Sequence, residues 1–171
     1  MKLTQLFEQK EENKKGTYVG AKFSIETKVH IKKFIKEHDI PNGLTSKDMH
    51  TTLIYSRKHL DKVKGIGELK EPWIGKPKKL EIFKTQNGWK ALVLRYECKE
   101  QVDFHENVMH TTDATYDYPE YKTHLTLSYN IEDMDEDKLL DLDVSSIGDI
   151  EIVKLYQEDL NLDWAEKTVK K

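Results

Sequence analysis

Residues 50–56 read His-Thr-Thr-Leu-Ile-Tyr-Ser, and residues 124–130 repeat that pattern as His-Leu-Thr-Leu-Ser-Tyr-Asn. His, Thr, Leu and Tyr recur at matching positions in the two copies. Each copy alternates as a β-strand does, so His50 and Thr52 project from one face while the residues between them project from the other. The repeat therefore predicts two strands that each present an imidazole and a hydroxyl to a shared cleft.

Two imidazoles in one cleft suit the cleavage of a phosphodiester. A neutral histidine can accept the proton of the nucleophile while a protonated histidine donates to the leaving oxygen. The threonine two residues after each histidine can hold a non-bridging phosphate oxygen and stabilise the charge of the transition state. The predicted catalytic residues are His50, Thr52, His124 and Thr126, and the reaction needs no cofactor.

Two competing interpretations of these histidines carry less weight. A single His-x-Thr is more often an ordinary strand segment, but two matching copies reverse that preference. A metal site is disfavoured because the motifs lack carboxylate or cysteine companions at ligand spacing. Moreover, His105 and His110 are five residues apart, whereas a zincin helix spaces its histidines by four. The sequence thus predicts no metal.

Length and composition indicate one soluble domain over residues 1–171. Charged residues make up 35% of the chain and hydrophobic residues 37%, a balance typical of folded soluble proteins. No apolar run of membrane-spanning length and no signal peptide occur, so we expect a cytoplasmic protein without membrane contact. The net charge of −3, with both signs interspersed, argues against duplex nucleic acid as a partner. The single Cys98 excludes an internal disulfide.

Residue patterns along the chain predict an α+β fold. Strands are predicted at 17–25, 50–56, 78–85, 89–97, 124–130 and 147–156, and helices from Thr27, at 101–109 and at 133–142. The turn signal Asn87-Gly88 predicts a hairpin. The connection through Gly65, Gly67, Pro72 and Gly75 is predicted to carry no clear element, and residues 1–16 to form a helical or partly ordered arm. The repeat suggests two lobes with an approximate two-fold axis, concave antiparallel sheets and helices outside.

The motifs His50-Thr51-Thr52-Leu53 and His124-Leu125-Thr126-Leu127 resemble the signature of the two-histidine phosphoesterase superfamily. That resemblance implies a bilobal α+β fold and metal-independent catalysis. Within the superfamily, the segments 1–7, 16–21 and 156–164 resemble the phage anti-CBASS phosphodiesterases. Those enzymes are implied to act in the infected host cytoplasm. There they hydrolyse 3′-5′ bonds of cyclic di- and trinucleotide messengers, such as 3′,3′-cGAMP, that trigger bacterial immunity.

The same resemblance implies roles for individual residues. His50 and His124 would be the catalytic pair, and Thr52 and Thr126 would contact the scissile phosphate. The nucleobases would be held by three further residues: Tyr18, Glu158 and Trp164. Aromatic rings stack on bases at roughly 1–3 kcal/mol each, although Tyr18 and Trp164 could equally serve packing. The tyrosines of the loop 111–121, Tyr116, Tyr118 and Tyr121, are additional stacking candidates.

The cyclic oligonucleotide is the only partner implied, with no obligate protein partner. Two alternatives stay open on the sequence: processing of RNA ends that carry 2′,3′-cyclic phosphates or 2′-5′ linkages, and a sponge that binds the messenger without cleaving it. Binding alone would not require a paired acid and base, which disfavours the sponge. The sequence leaves open which histidine acts first as the base.

Overall fold

The computed structural model describes residues 15–162, and in that range the chain forms six antiparallel strands and three α-helices. The strands are β1 (Lys15–Phe23), β2 (Thr51–Ser56), β3 (Gly67–Lys84), β4 (Lys90–Glu97), β5 (His124–Ser128) and β6 (Ile150–Asn161). The helices are α1 (Ile25–Glu37), α2 (Lys99–Thr111) and α3 (Glu136–Leu140). The strands form a closed sheet in the order β1-β2-β5-β4-β3-β6, with β6 returning to β1. The prediction of a mixed fold with antiparallel strands and helices is confirmed.

Several predicted elements have different bounds in the structure. Helix α1 begins at Ile25 rather than Thr27, because the Ser24 hydroxyl caps it by accepting from the Thr27 backbone N–H at 3.2 Å. The acidic segment 133–142 forms only the short helix α3, and β6 begins at Ile150 and runs to Asn161. Of the predicted arm 1–16, residues 1–14 lie outside the described residues, and residues 15 and 16 belong to β1.

The prediction that no element occupies the Lys/Gly-rich connection was wrong, because β3 runs through it for 18 residues. The strand pairs with β6 over its first part and with β4 over its second. Its register shifts between Glu68 and Trp73, around Pro72, and a sheet tolerates proline where its ladder is irregular. Gly75 is required by packing, since a Cβ there would lie 2.6 Å from the Tyr96 ring.

One face of the sheet builds the hydrophobic core. Leu53 of β2, Leu92 and Leu94 of β4, and Leu125 and Leu127 of β5 are almost fully buried there. Burying such a leucine contributes about 1.5–3 kcal/mol, which fixes these strands in register. Residues at the alternate strand positions, including both motif histidines, point to the opposite face. Within residues 15–162, no helix is both long and apolar enough to span a membrane.

The ladder between β2 and β5 is the shortest in the sheet. Its register consists of the single pair Thr51 and Leu125, whereas β1 and β6 are paired over nine positions. The two strands overlap only at their first residues and then run apart in opposite directions. The junction places the starts of the two motif strands side by side.

Candidate functional site

The four motif residues form a square across the β2–β5 junction. Because Thr51 faces Leu125, extending the register by one residue sets His50 against Thr126 and Thr52 against His124. Thr51 and Leu125 point into the core at 1% exposure, and the four flanking residues are half-buried on the other face. Facing residues have Cβ atoms about 4.5–5.5 Å apart, and diagonal ones about 7–8 Å. The two histidines therefore occupy one diagonal and the two threonines the other.

Each histidine makes the same backbone contact. The ring Nδ1 of His50 lies 2.7 Å from the Asp48 carbonyl, and that of His124 lies 2.6 Å from the Lys122 carbonyl. A carbonyl only accepts, so Nδ1 carries the proton in both rings and the neutral ring has its lone pair on Nε2. Both imidazoles are held in the same tautomer, with Nε2 left for chemistry.

The surroundings of His124 shift its pKa. Burial lowers the pKa of His124, and the nearby Arg95 cation and His50 lower it further, against the bond to the Lys122 carbonyl and the charge of Glu81. Arg95 donates to Glu81 at 2.9 Å, which keeps that cation beside the site. The neutral form of His124 is therefore favoured at neutral pH.

Aromatic rings hold each imidazole from the side. Tyr18 of β1 meets His50 edge-on with ring centroids 6.3 Å apart, and its hydroxyl shares a 3.0 Å hydrogen bond with the Thr52 hydroxyl. Phe83 of β3 reaches across β4 to meet His124 edge-on at 5.4 Å. Burial raises the pKa of Tyr18 far above its usual range, so its phenol stays neutral. Tyr18 thus orients Thr52, a role different from base stacking alone.

A buried hydrogen-bond network supports the square from the core side. Gln101 of α2, fully buried, donates to the Thr51 hydroxyl at 3.0 Å and to the Tyr121 hydroxyl at 2.8 Å, and accepts from Tyr96 at 2.7 Å. Thr51 in turn donates to the His124 carbonyl at 2.7 Å, and Tyr121 to the Thr52 carbonyl at 2.7 Å. Side-chain donors thus replace ladder hydrogen bonds at the sparse junction.

The loop tyrosines are not equivalent in the structure. Tyr121 stacks on His105 with centroids 4.0 Å apart and a 12° interplanar angle, and His105 donates from Nδ1 to the Leu53 carbonyl at 2.7 Å. Tyr116 packs edge-on against His105, whereas Tyr118 is 69% exposed. Tyr121 and Tyr116 therefore belong to the support of β2, and Tyr118 alone of the three is largely open to solvent.

A cleft of about 560 Å³ opens beside His50, a volume within the range of small-molecule sites. Its lining residues come from β1, β6, the segment before β2 and the position after β5: Lys22, Lys47, Asp48, Met49, His50, Tyr129, Lys154, Tyr156 and Glu158. Glu158 faces Tyr18 across the β1–β6 ladder. Gly20 makes room for Tyr156, because a Cβ at Gly20 would lie 2.5 Å from the Tyr156 hydroxyl. Tyr156 can therefore lie against Tyr18 at the cleft floor.

The structure brings Tyr18, Glu158 and the four motif residues to one region, while Trp164 lies outside the described residues. Sequence reasoning missed the basic residues of the cleft and the supporting Gln101. Strand alternation from Tyr18 places Lys22 on the same face and could have found it. Nothing in the sequence marks Gln101, since a buried glutamine is recognised only by its partners. Within residues 15–162, no three or more His, Cys, Asp or Glu side chains group as a metal site would need.

A family model and several known relatives point to the same protein family. The family model described as Anti-CBASS protein Acb1 matches residues 15–167. The Anti-CBASS protein Acb1 of Vibrio phage KVP40 is 29% identical over 164 residues, covering 96% of this chain and 97% of the relative. The proteins of the same name from Salmonella phage S16 and Enterobacteria phage T4 are 31% and 32% identical, each covering 88% of this chain and 92% of the relative.

Proposed function

The chain belongs to the anti-CBASS protein Acb1 family, and on that premise we propose that it is a phosphodiesterase of cyclic di- and trinucleotide messengers. Hydrolysis of their 3′-5′ bonds would remove the signal that activates CBASS immunity in the infected host. The observation that carries the proposal is the square at the β2–β5 junction, where two imidazoles of the same tautomer stand diagonally between two hydroxyls. That local two-fold arrangement supports membership of the two-histidine phosphoesterase superfamily and its bilobal fold.

In the proposed first step, Nε2 of one neutral histidine takes the proton of a ribose 2′-hydroxyl. The 2′-oxygen attacks the adjacent phosphorus, and the bond from phosphorus to the 5′-oxygen breaks. The other histidine, protonated, gives its proton to that leaving oxygen. A 2′,3′-cyclic phosphate and a 5′-hydroxyl result, and water then opens the cyclic phosphate with the two roles exchanged.

The lowered pKa of His124 supports this residue as the initial base. Its buried ring is neutral at pH values where an ordinary histidine begins to protonate, so it is ready to accept a proton. His50 then supplies the proton to the leaving group. The hydroxyls of Thr52 and Thr126 lie on the other diagonal, where they can donate to the two non-bridging oxygens of the same phosphorus.

The proposed base gives a defined pH dependence. Cleavage should fall as pH falls, because protonated His124 is no longer a base, and the lowered pKa sets the midpoint of this acid limb below the ordinary histidine value of 6.5. Arg95→Gln removes a cation that lowers the pKa of His124 and leaves Glu81 with Lys79 as its remaining ion-pair partner. The pKa of His124 should therefore rise, and the acid limb should move to higher pH. The pH profile of kcat/KM and an NMR pH titration of the His124 ring would check both shifts. A limb that stays in place with Arg95→Gln would contradict the assignment.

Tyr18→Phe should lower kcat by several-fold. The phenol holds the Thr52 hydroxyl through the 3.0 Å bond, and without it that hydroxyl is less well oriented for the phosphate. Tyr55→Phe is the matched control, since Tyr55 also contacts the Tyr18 ring but its hydroxyl makes no hydrogen bond within residues 15–162. Initial rates of the two variants distinguish the loss of the Tyr18–Thr52 hydrogen bond from the loss of any nearby tyrosine hydroxyl. Equal rates would contradict the role of Tyr18.

The proposed function is tested by incubating the protein with 3′,3′-cGAMP in excess EDTA and resolving the products by chromatography with mass detection. Linear dinucleotide, preceded by its 2′,3′-cyclic phosphate form, is expected. A ligand without 2′-hydroxyls should stay intact, and its cleavage at full rate would sink the mechanism. Tight binding of intact 3′,3′-cGAMP would instead indicate a sponge. Cleavage of RNA ends bearing 2′,3′-cyclic phosphates in place of 3′,3′-cGAMP would indicate an RNA-processing enzyme.

A further inference from the structure

Two lysines face each other at the wall of the cleft. Lys22 of β1 and Lys154 of β6 are direct partners in the antiparallel register, and both are exposed to the cleft solvent. Like charges placed directly opposite on one face of a sheet destabilise it. The pair is therefore an electrostatic cost to the free protein, and an anion between the two ammonium groups would remove that cost.

The carboxylate that faces this lysine pair in the sheet, Glu68 of β3 opposite Lys154, forms no ion pair with either lysine. Four lysines of β3 and β4 form ion pairs: Lys76 with Asp149, Lys78 with Glu97, Lys79 with Glu81 and Lys90 with Glu136. Within residues 15–162, Lys22 and Lys154 make no ion pair, and the Lys22 ammonium lies 5.5 Å from the centre of the Tyr156 ring. Lys47, also in the cleft wall, is likewise without an ion pair in that range.

The cleft charge is not uniformly positive. Two carboxylates, Asp48 and Glu158, line the same space as the three lysines. The Asp48 side chain accepts a hydrogen bond from Thr45 at 3.0 Å, so it is held toward the turn that precedes β2. Glu158 lies two strand positions beyond Tyr156 and four beyond Lys154 on β6, at about 13 Å of strand rise from that lysine. The strand thus separates a basic end of the cleft from an acidic one.

We propose that Lys22 and Lys154, with Lys47 beside them, form a second phosphate subsite for the phosphodiester of the cyclic substrate that is not being cleaved. The inference rests on the proposed function, because a cyclic dinucleotide carries two phosphodiesters and the square at His50 and His124 engages one of them. The other phosphodiester belongs to the same closed ring, so it enters the same cleft. The lysines bind that phosphate through charge, without reading the bases, so they select for a second phosphate rather than for a particular nucleobase.

The test compares two ligands that share the cleavable linkage. One is 3′,3′-cGAMP, with two phosphodiesters, and the other is the linear dinucleoside monophosphate GpA, with one. Affinities are measured by titration calorimetry on His124→Ala protein, which leaves the ligands intact, with and without Lys22→Gln and Lys154→Gln. Lys32→Gln, on the exposed face of α1, is the matched control for the loss of one positive charge.

With both lysines replaced, the Kd for 3′,3′-cGAMP should rise at least tenfold, and the ratio of the two Kd values should shift by about the same factor. Thermal unfolding should show no loss of stability, because the substitutions remove two like charges that face each other. An equal change for both ligands, no change for either, or the same change with Lys32→Gln would overturn the second subsite. Cleavage of 3′,3′-cGAMP by the unmodified chain, measured separately, shows whether the proposed function itself stands.

Discussion

Replacing either His50 or His124 by alanine should lower kcat for 3′,3′-cGAMP by roughly 10²–10⁴-fold, the usual contribution of a positioned acid or base. In the proposed mechanism each imidazole acts through Nε2 on the same phosphodiester, and the backbone carbonyl two residues earlier holds its Nδ1. Removing one of them leaves either the nucleophile's proton or the leaving oxygen without a partner. Steady-state rates from quenched reactions would measure the loss.

The double variant distinguishes a catalytic pair from two independent contributors. In the proposed mechanism the two histidines act in one proton-transfer cycle. The loss in His50→Ala/His124→Ala should therefore be close to that of the more damaged single variant, far short of the product of the two. His110→Ala, at the exposed end of α2, is the matched control and should stay within about twofold of the unmodified protein. Full activity in either single variant would contradict the proposed mechanism.

Gln101→Leu should destabilise the protein by about 3 kcal/mol. The side chain is fully buried and serves three partners, and leucine would remove the acceptor of the 2.7 Å bond from the buried Tyr96 hydroxyl. An unsatisfied buried donor costs about 1–3 kcal/mol, and the lost bonds to Thr51 and Tyr121 add to it. Chemical denaturation followed by tryptophan fluorescence would give the change in the free energy of unfolding.

Adding Tyr96→Phe to Gln101→Leu should restore part of that stability, because the orphaned hydroxyl is then absent. The expected result is a double variant less destabilised than the sum of the two singles, a coupling of about 1 kcal/mol or more between residues in one network. Strictly additive changes would mean that the 2.7 Å bond between Tyr96 and Gln101 contributes nothing specific. The same measurement on Thr51→Ser, which keeps the hydroxyl, should show a smaller loss than Gln101→Leu.

Local pattern was sufficient to predict the elements whose signals lie within a few residues. The alternation of His50, Thr52 and their neighbours predicted β2, and the hairpin at Asn87-Gly88 joins β3 to β4 as expected. The repeat also predicted that the two histidines share a cleft, and this stays a prediction. The register of Thr51 with Leu125 sets the two motifs side by side, and the cleft described above is lined by His50. These predictions depend only on side-chain periodicity and turn chemistry, which a single chain displays directly.

Features that depend on distant partners were not predictable in this way. The first half of β3 contains Gly67, Pro72 and Gly75, which disfavour a strand locally, and it forms because β6 and Tyr96 supply the pairing and the packing. The lysine pair exists only in the β1–β6 register, where residues 132 positions apart become neighbours. Nor does any local signal show that Gln101 lies beneath the motif strands.

The ladder between β2 and β5 has a single paired position, so the proposed catalytic centre lies at the junction of the closed sheet with the fewest main-chain pairs. Separating β2 from β5 breaks few main-chain hydrogen bonds. Local opening therefore needs less free energy at this junction than along the nine-position β1–β6 ladder. A phosphate that accepts hydrogen bonds from hydroxyls of both strands would hold β2 and β5 together at this junction. Substrate would then slow hydrogen exchange of amides in β2 and β5, and product release would coincide with the return of that local motion.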